Sequence, residues 1–181
     1  MIQELIVTTK NAVGAVHLAP MGVHIYGDEI AILPFRPSTT LTNLLETKMA
    51  VLNYCDDVRI FAGCLTGRRD WKLQNLVLEK ALAHSVVKLV RVEDDDTRPK
   101  LVCNILKTVN NLPFLGFNRA QFSVLEAAIL VSRLKMLPIE KIENEIAYLK
   151  IGLEKTAGER EWEAWNWLME AIETFKMENL K

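Results

Sequence analysis

Between Arg36 and Asn43 the chain reads Arg-Pro-Ser-Thr-Thr-Leu-Thr-Asn, and these residue types are suited to gripping an anion. An apolar stretch, Ile30 to Phe35, breaks at Arg36-Pro37. After Ser38, Thr39 and Thr40, the leucines at 41, 44 and 45 take up helical spacing. A helix start leaves several backbone N–H groups without partners, and the helix dipole places partial positive charge there. Three hydroxyls and one guanidinium beside such a start could seat a phosphate. Asn43, one turn further on, could reach the same ligand or cap locally. Ordinary capping by Ser38 or Thr39, with Arg36 merely solvated, would use the same residues. Both readings stand on the residues alone.

Two other stretches carry weaker signals. In Ala19-Pro20-Met21-Gly22-Val23, a small residue and a glycine around a proline let a flat ring approach backbone groups closely. An edge bulge is the alternative. Gly116-Phe117-Asn118-Arg119-Ala120 places Arg119 in the first turn of a helix, where a cation opposes the dipole; an anionic ligand or partner would relieve that cost. His17, His24 and His84 have no helical pairing and no nearby cysteine pair, so no metal site is expected. The Gly-x-Gly-x-x-Gly and Walker phosphate-loop patterns are absent. Cys55, Cys64 and Cys103 have the irregular spacing of reduced core thiols. The acidic residues 93–96 read as a solvated hairpin tip and Gly67-Arg68-Arg69-Asp70-Trp71 as a polar turn.

The elements that must position these residues change character along the chain. The first part is strand-rich: around Leu5 and Val7, Gly14 to Leu18, Val23 to Tyr26, Ile30 to Phe35, Ala50 to Tyr54, Val86 to Val92 and Leu101 to Val109. Pro20 should bend, bulge or edge-place the second strand, and Gly27-Asp28 should turn the chain. Residues 56–65 admit a short helix. Leu73, Leu76, Val77 and Ala81 have helical spacing, with a strand as the other option.

After Leu112-Pro113 come three helices. Asn118 should cap the first in a capping box with Gln121, with Phe117 and Phe122 as a hydrophobic staple. Its expected apolar stripe is Phe122, Leu125, Ile129 and Leu134. The second carries Ile139, Ile142, Ile146, Leu149 and Leu153, and the third Trp162, Trp165, Met169, Ile172 and Phe175. Strands first and helices later make an α+β arrangement, with a strand-rich domain expected over 1–115 and a helical subdomain over 116–181.

With 181 residues, half of them hydrophobic, the chain can bury a sizeable core. A net charge of -1 gives no reason to expect nucleic acid as a partner. No apolar run reaches the roughly 18 residues needed to span a bilayer, and no signal peptide is legible, so no membrane partner and a cytoplasmic location are expected.

With those stretches laid out, the sequence resembles the DUF447 family of FMN-binding split-barrel proteins, which are akin to flavin reductases. The matching stretches are Ala19 to Val23, Phe35 to Thr40 with Asn43-Leu44, Asn53 with Asp56-Asp57, and Gly116 to Ala120. The resemblance implies a six-stranded antiparallel split β-barrel with a C-terminal helical subdomain, usually a homodimer with one FMN per subunit. On this sequence it implies a phosphate seat at Arg36, Ser38, Thr39, Thr40 and Asn43. The Pro20, Met21, Gly22 and Val23 turn would lie against the isoalloxazine, Asn53 would contact the cofactor, and Arg119 would be a second phosphate or interface contact. It implies a flavin-dependent oxidoreductase acting on an unidentified small molecule, or a non-catalytic flavin carrier whose helical part recruits a partner. It supplies no catalytic residue.

Overall fold

Leu5 to Thr9 are buried without interruption, which a strand achieves only when both its faces are covered. They belong to β1 (Ile2–Lys10), in a computed structural model that describes residues 1–27, 29–68 and 70–179. The chain divides into two compact units: residues 1–55 with 71–114, and residues 56–70 with those from 115 onward. The helical unit therefore also takes in segment 56–70, which falls inside the strand-rich span expected from the sequence. Asp28 and Arg69, each part of an expected turn, lie outside the described residues.

The first unit is a closed antiparallel barrel. β1 is followed by β2 (Val16–Tyr26), β3 (Glu29–Ile32), β4 (Met49–Tyr54), β7 (Ala83–Glu93) and β8 (Lys100–Asn110), in the spatial order β1-β2-β3-β8-β7-β4. Closure is made by Ile6, Val7 and Thr8 pairing with Asn53, Leu52 and Val51. The inward residues Leu5, Val7, Val23, Ile30, Ile32, Leu52, Val87, Leu101 and Cys103 form the core. Helix α1 (Thr39–Thr47) adds Leu41 and Leu44 to that core.

One open alternative is resolved here and one local expectation is corrected. Residues 72–82 are not helical: Leu73–Gln74 (β5) and Val77–Leu78 (β6) form a small hairpin whose turn residues Asn75 and Leu76 have φ of 49° and 71°. Positive φ at both central residues is the two-residue turn that matches strand twist. The strand expected at Gly14–Leu18 and the one at Val23–Tyr26 are a single strand that runs through Pro20. β1 pairs with it from Val16 to His24, whereas β3 joins only at Val23. Pro20 thus sits where the strand has a partner on one side, a position that tolerates a missing N–H.

The second unit packs α2 (Arg59–Leu65), α3 (Arg119–Ser132), α4 (Ile139–Thr156) and α5 (Glu159–Asn179) around Val124, Ile142, Leu149, Leu153, Trp165, Leu168 and Ile172. The expected stripe on α3 is wrong in detail. Phe122 is 54% exposed, and the face turned inward is Ala120, Val124, Ala127, Ala128 and Val131. Small residues let the helices approach closely. A Cβ placed on Gly152 of α4 would lie 2.9 Å from Ser123 Oγ, which itself donates to Leu149 O at 2.8 Å. Gly152→Val should therefore lower unfolding free energy by about 2 kcal/mol, as overpacking typically does. Urea denaturation with an unchanged midpoint would show that α3 and α4 separate freely.

Candidate functional site

Ser38 adopts extended geometry (φ -152°, ψ 148°) and its Oγ accepts from Leu41 N at 3.3 Å, making it the N-cap of α1. The N–H groups of Thr39 and Thr40 have no intrahelical acceptor, by helix geometry. The start of the helix is fixed because Leu41 and Leu44 are anchored in the barrel and α1 packs on β1 and β2. Ser38 is half-buried and Thr39 exposed. Thr40 and Asn43 are buried, and Asn43 Nδ2 donates to Thr9 Oγ1 at 3.0 Å. Asn43 therefore ties α1 to β1.

Arg36 does not wave in solvent. Its Nη2 pairs with Asp94 Oδ1 at 2.5 Å, its Nε donates to Asp95 O at 3.0 Å, and its backbone N donates to Thr97 O. The acidic β7–β8 tip, expected to be merely solvated, folds onto the connection between β3 and α1. Asp95 organises the tip by accepting from the Thr97 and Arg98 amides, and those bonds hold its carboxyl below the usual range. Arg98 donates to Leu33 O and stacks 4.5 Å from the Phe35 ring centroid. A second guanidinium thus reaches the same connection. Sequence reading passed over it, although the basic residues directly after the acidic run were a usable signal. The Arg36–Asp94 pair is exposed, and such pairs contribute less than about 1 kcal/mol. An incoming phosphate can compete for Arg36.

Pro20, Met21, Gly22 and Val23 lie in strand, not in a turn. Val23 is fully buried in the barrel core, while the other three are partly exposed. A Cβ on Gly22 would meet Ile2 Cγ2 at 3.0 Å and Glu4 Oε1 at 3.1 Å, so the glycine makes room for β1 side chains. From Ala19 to Gly22 the strand pairing of β2 is with β1 alone, and α1 packs beside this strand.

Asn53, expected as a cofactor contact, is placed here inside the barrel wall. It is fully buried; its Oδ1 accepts from Leu78 N at 2.8 Å, and its Nδ2 is shared among Thr8 Oγ1, Ile6 O and Leu76 O. Together with Thr8, whose Oγ1 donates to Leu76 O at 2.5 Å, it holds the β5–β6 hairpin on the barrel.

Arg119 belongs to the helical unit. It is the first residue of α3, capped by Asn118, whose Oδ1 accepts from the Ala120 and Gln121 amides. It lines a pocket of about 250 Å³ with the exposed rings of Phe117, Phe122 and Tyr148. Burial pushes the Cys103 thiol up to about 12, and the three cysteines form no disulfide among the described residues. No helix among those residues is long and apolar enough to cross a membrane, and no cluster of side chains there could hold a metal ion.

A six-stranded closed antiparallel barrel joined to packed helices defines an α+β protein of the split-barrel class. The family described as "Protein of unknown function (DUF447)" matches through its N-terminal domain at residues 3–111 and through its C-terminal part at residues 118–170. The chain belongs to that family. Its fold is similar to that of the FMN-bound protein MM1853 of Methanosarcina mazei, a DUF447 protein, with a TM-score of 0.76, 23% identity and 94% of each chain covered. The 2-nitrobenzoate 2-nitroreductase NbaA of Pseudomonas fluorescens matches with a TM-score of 0.51 and 19% identity, covering 59% of this chain and 64% of that one. An FMN-binding protein of Thermus thermophilus, with bound 1-cyclohex-2-enone, matches with a TM-score of 0.50 and 12% identity, covering 61% of this chain and 71% of that one. No curated protein matches the chain significantly.

Proposed function

We propose that the barrel unit binds FMN and that the protein is a flavin-dependent oxidoreductase acting on a small molecule. The observation that carries this reading is the start of α1. There an anchored helix presents two amides, the exposed Thr39 hydroxyl and the half-buried Ser38, next to Arg36. That donor set fits a phosphate monoester: the N–H groups and hydroxyls donate to its oxygens, and Arg36 neutralises charge with charge-assisted bonds. Thr40 would contribute its amide, and Asn43 would brace the helix. Arg98 would add positive charge on the same connection. The open flank of β2 around Pro20, Met21 and Gly22 offers backbone donors and acceptors to the edge of a flat ring. When bound, the flavin supplies the electron transfer, and the protein contributes position and electrostatics. The similarity to an FMN-bound family member and to flavin-binding barrels supports the same assignment.

A homodimer in the cytoplasm is part of the proposal. Support comes from exposed apolar residues on the barrel unit, Leu106, Leu112 and Phe114, and from cysteines that form no disulfide. A second reading, a flavin carrier whose helical unit docks a partner, is favoured by the exposed rings of Phe117, Phe122 and Tyr148 around Arg119. Anaerobic mixing of the FMN complex with NADH or NADPH separates the two. Bleaching of the flavin absorbance and its return with an acceptor supports the oxidoreductase; flavin that stays oxidised with each donor supports the carrier.

Arg36→Ala should weaken FMN binding roughly 10- to 150-fold, corresponding to about 1.5–3 kcal/mol for hydrogen bonds to a charged group. Quenching of flavin fluorescence measures it. An unchanged dissociation constant would move the phosphate away from α1.

A further inference from the structure

A cleft of about 980 Å³ lies beneath the β5–β6 hairpin, within the size range of small-molecule sites, and the flavin reading does not call on it. Its walls join two chemistries. The hairpin contributes Leu73, Val77 and Leu78. The facing ribbon contributes Val86 and Lys107, which are directly paired across β7 and β8, and His84 two residues along on the same face.

The polar side of the cleft is preorganised. Asn111 Nδ2 lies 3.3 Å from His84 Nδ1 and also donates to Ala81 O at 3.1 Å. An amide nitrogen can only donate, so Nδ1 of His84 accepts and the neutral ring carries its proton on Nε2. His84 is thereby fixed as a donor through that nitrogen. Lysines 72 and 107 face one carboxylate, Glu79, so the lining favours a single negative charge.

The hairpin also carries backbone strain. Leu76 has φ of 71°, which costs a non-glycine residue on the order of 1 kcal/mol, and Thr8 with Asn53 clamps its carbonyl in place. Strain held by buried polar groups is more common where a binding surface needs one fixed shape.

We propose that this cleft is a binding site for a monoanionic organic molecule with an apolar body. The body lies between the hairpin and Val86, and the acid group meets Lys107 and the Nε2–H of His84. The site does not depend on flavin.

The test titrates the full chain with 8-anilinonaphthalene-1-sulfonate and with neutral N-phenyl-1-naphthylamine, following dye fluorescence. Lys107→Gln should weaken sulfonate binding roughly tenfold, the lower end for a bond to a charged group, and change the neutral dye less than about twofold. Val77→Trp, which fills the cleft, should abolish binding of both dyes while circular dichroism shows a folded protein. Equal binding of the sulfonate by wild type and Lys107→Gln overturns the proposal, as does retention of either dye by Val77→Trp. Displacement of the sulfonate by FMN would make the cleft part of the flavin seat and also end the proposal. A change of oligomeric state in Lys107→Gln without loss of dye would make this face a contact between copies, with the same consequence.

Discussion

Asn53→Ala is expected to lower the stability of the barrel unit by about 4 kcal/mol. The side chain is fully buried, and its removal strands the Leu78 N–H, which is itself buried, and takes away the donor that Thr8 Oγ1 and Leu76 O accept from. Each buried polar group left unsatisfied costs roughly 1–3 kcal/mol, and the vacated volume adds a cavity term. Against a total stability on the order of 5–15 kcal/mol this is a severe loss. The local signature is as informative as the global one. Amide exchange at Leu78 should accelerate by orders of magnitude, because the hairpin loses the bond that holds β6 to β4. A variant that unfolds within 1 kcal/mol of wild type, with Leu78 still protected, would refute the bracing role given to Asn53.

Asp57→Ala should be nearly as damaging to the helical unit, by about 3 kcal/mol. Asp57 is 3% exposed and receives the Arg59 guanidinium in a two-point contact at 2.9 and 2.7 Å, while the Arg59 amide also donates to it at 3.2 Å. Removing one partner of a buried pair typically costs 3–5 kcal/mol. The lower end applies because Arg59 keeps Glu163 at 3.0 Å and its side chain is 24% exposed. The pH dependence follows from the same contacts. Burial by itself would raise the Asp57 pKa, but hydrogen bonds and charge from Arg59, with Arg160 beyond, outweigh it and hold the carboxyl below its ordinary 3.8. A depressed folded pKa means stability that is present in full above the unfolded value and is lost as pH falls through the folded one. Chemical denaturation at pH 7 and stepwise down to pH 3 should therefore show the gap between wild type and Asp57→Ala narrowing below about pH 4. A gap that stays constant through that window would mean that the pair contributes no proton-linked stability.

The parts legible in the sequence were those whose causes are local. Ser38 and Asn118 were readable as caps because a cap is satisfied within three residues. The closed barrel came from the family resemblance, which strand patterning alone would not have supplied. The misreadings had distant causes. Leu73, Leu76, Val77 and Ala81 mimic a helix. What makes the segment a hairpin is the clamp on the Leu76 carbonyl from Thr8, 68 residues away, and from Asn53. Likewise Asp94 reaches Arg36 across 58 positions, so the acidic run could not be seen to engage that arginine. On α3 the period was right and Leu125 does pack on the helical core, but Phe122 lies exposed and the alanines that permit tight contact carry no bulk to mark them.

The half-partnered stretch of β2 has a bearing on solubility. An open strand flank is an adhesive rim onto which a stray segment of any neighbouring molecule can zip. Proline in the middle of that rim removes a donor, so an intruding chain meets a gap in the row. The same residue that interrupts the row of donors there also guards the flank against runaway stacking.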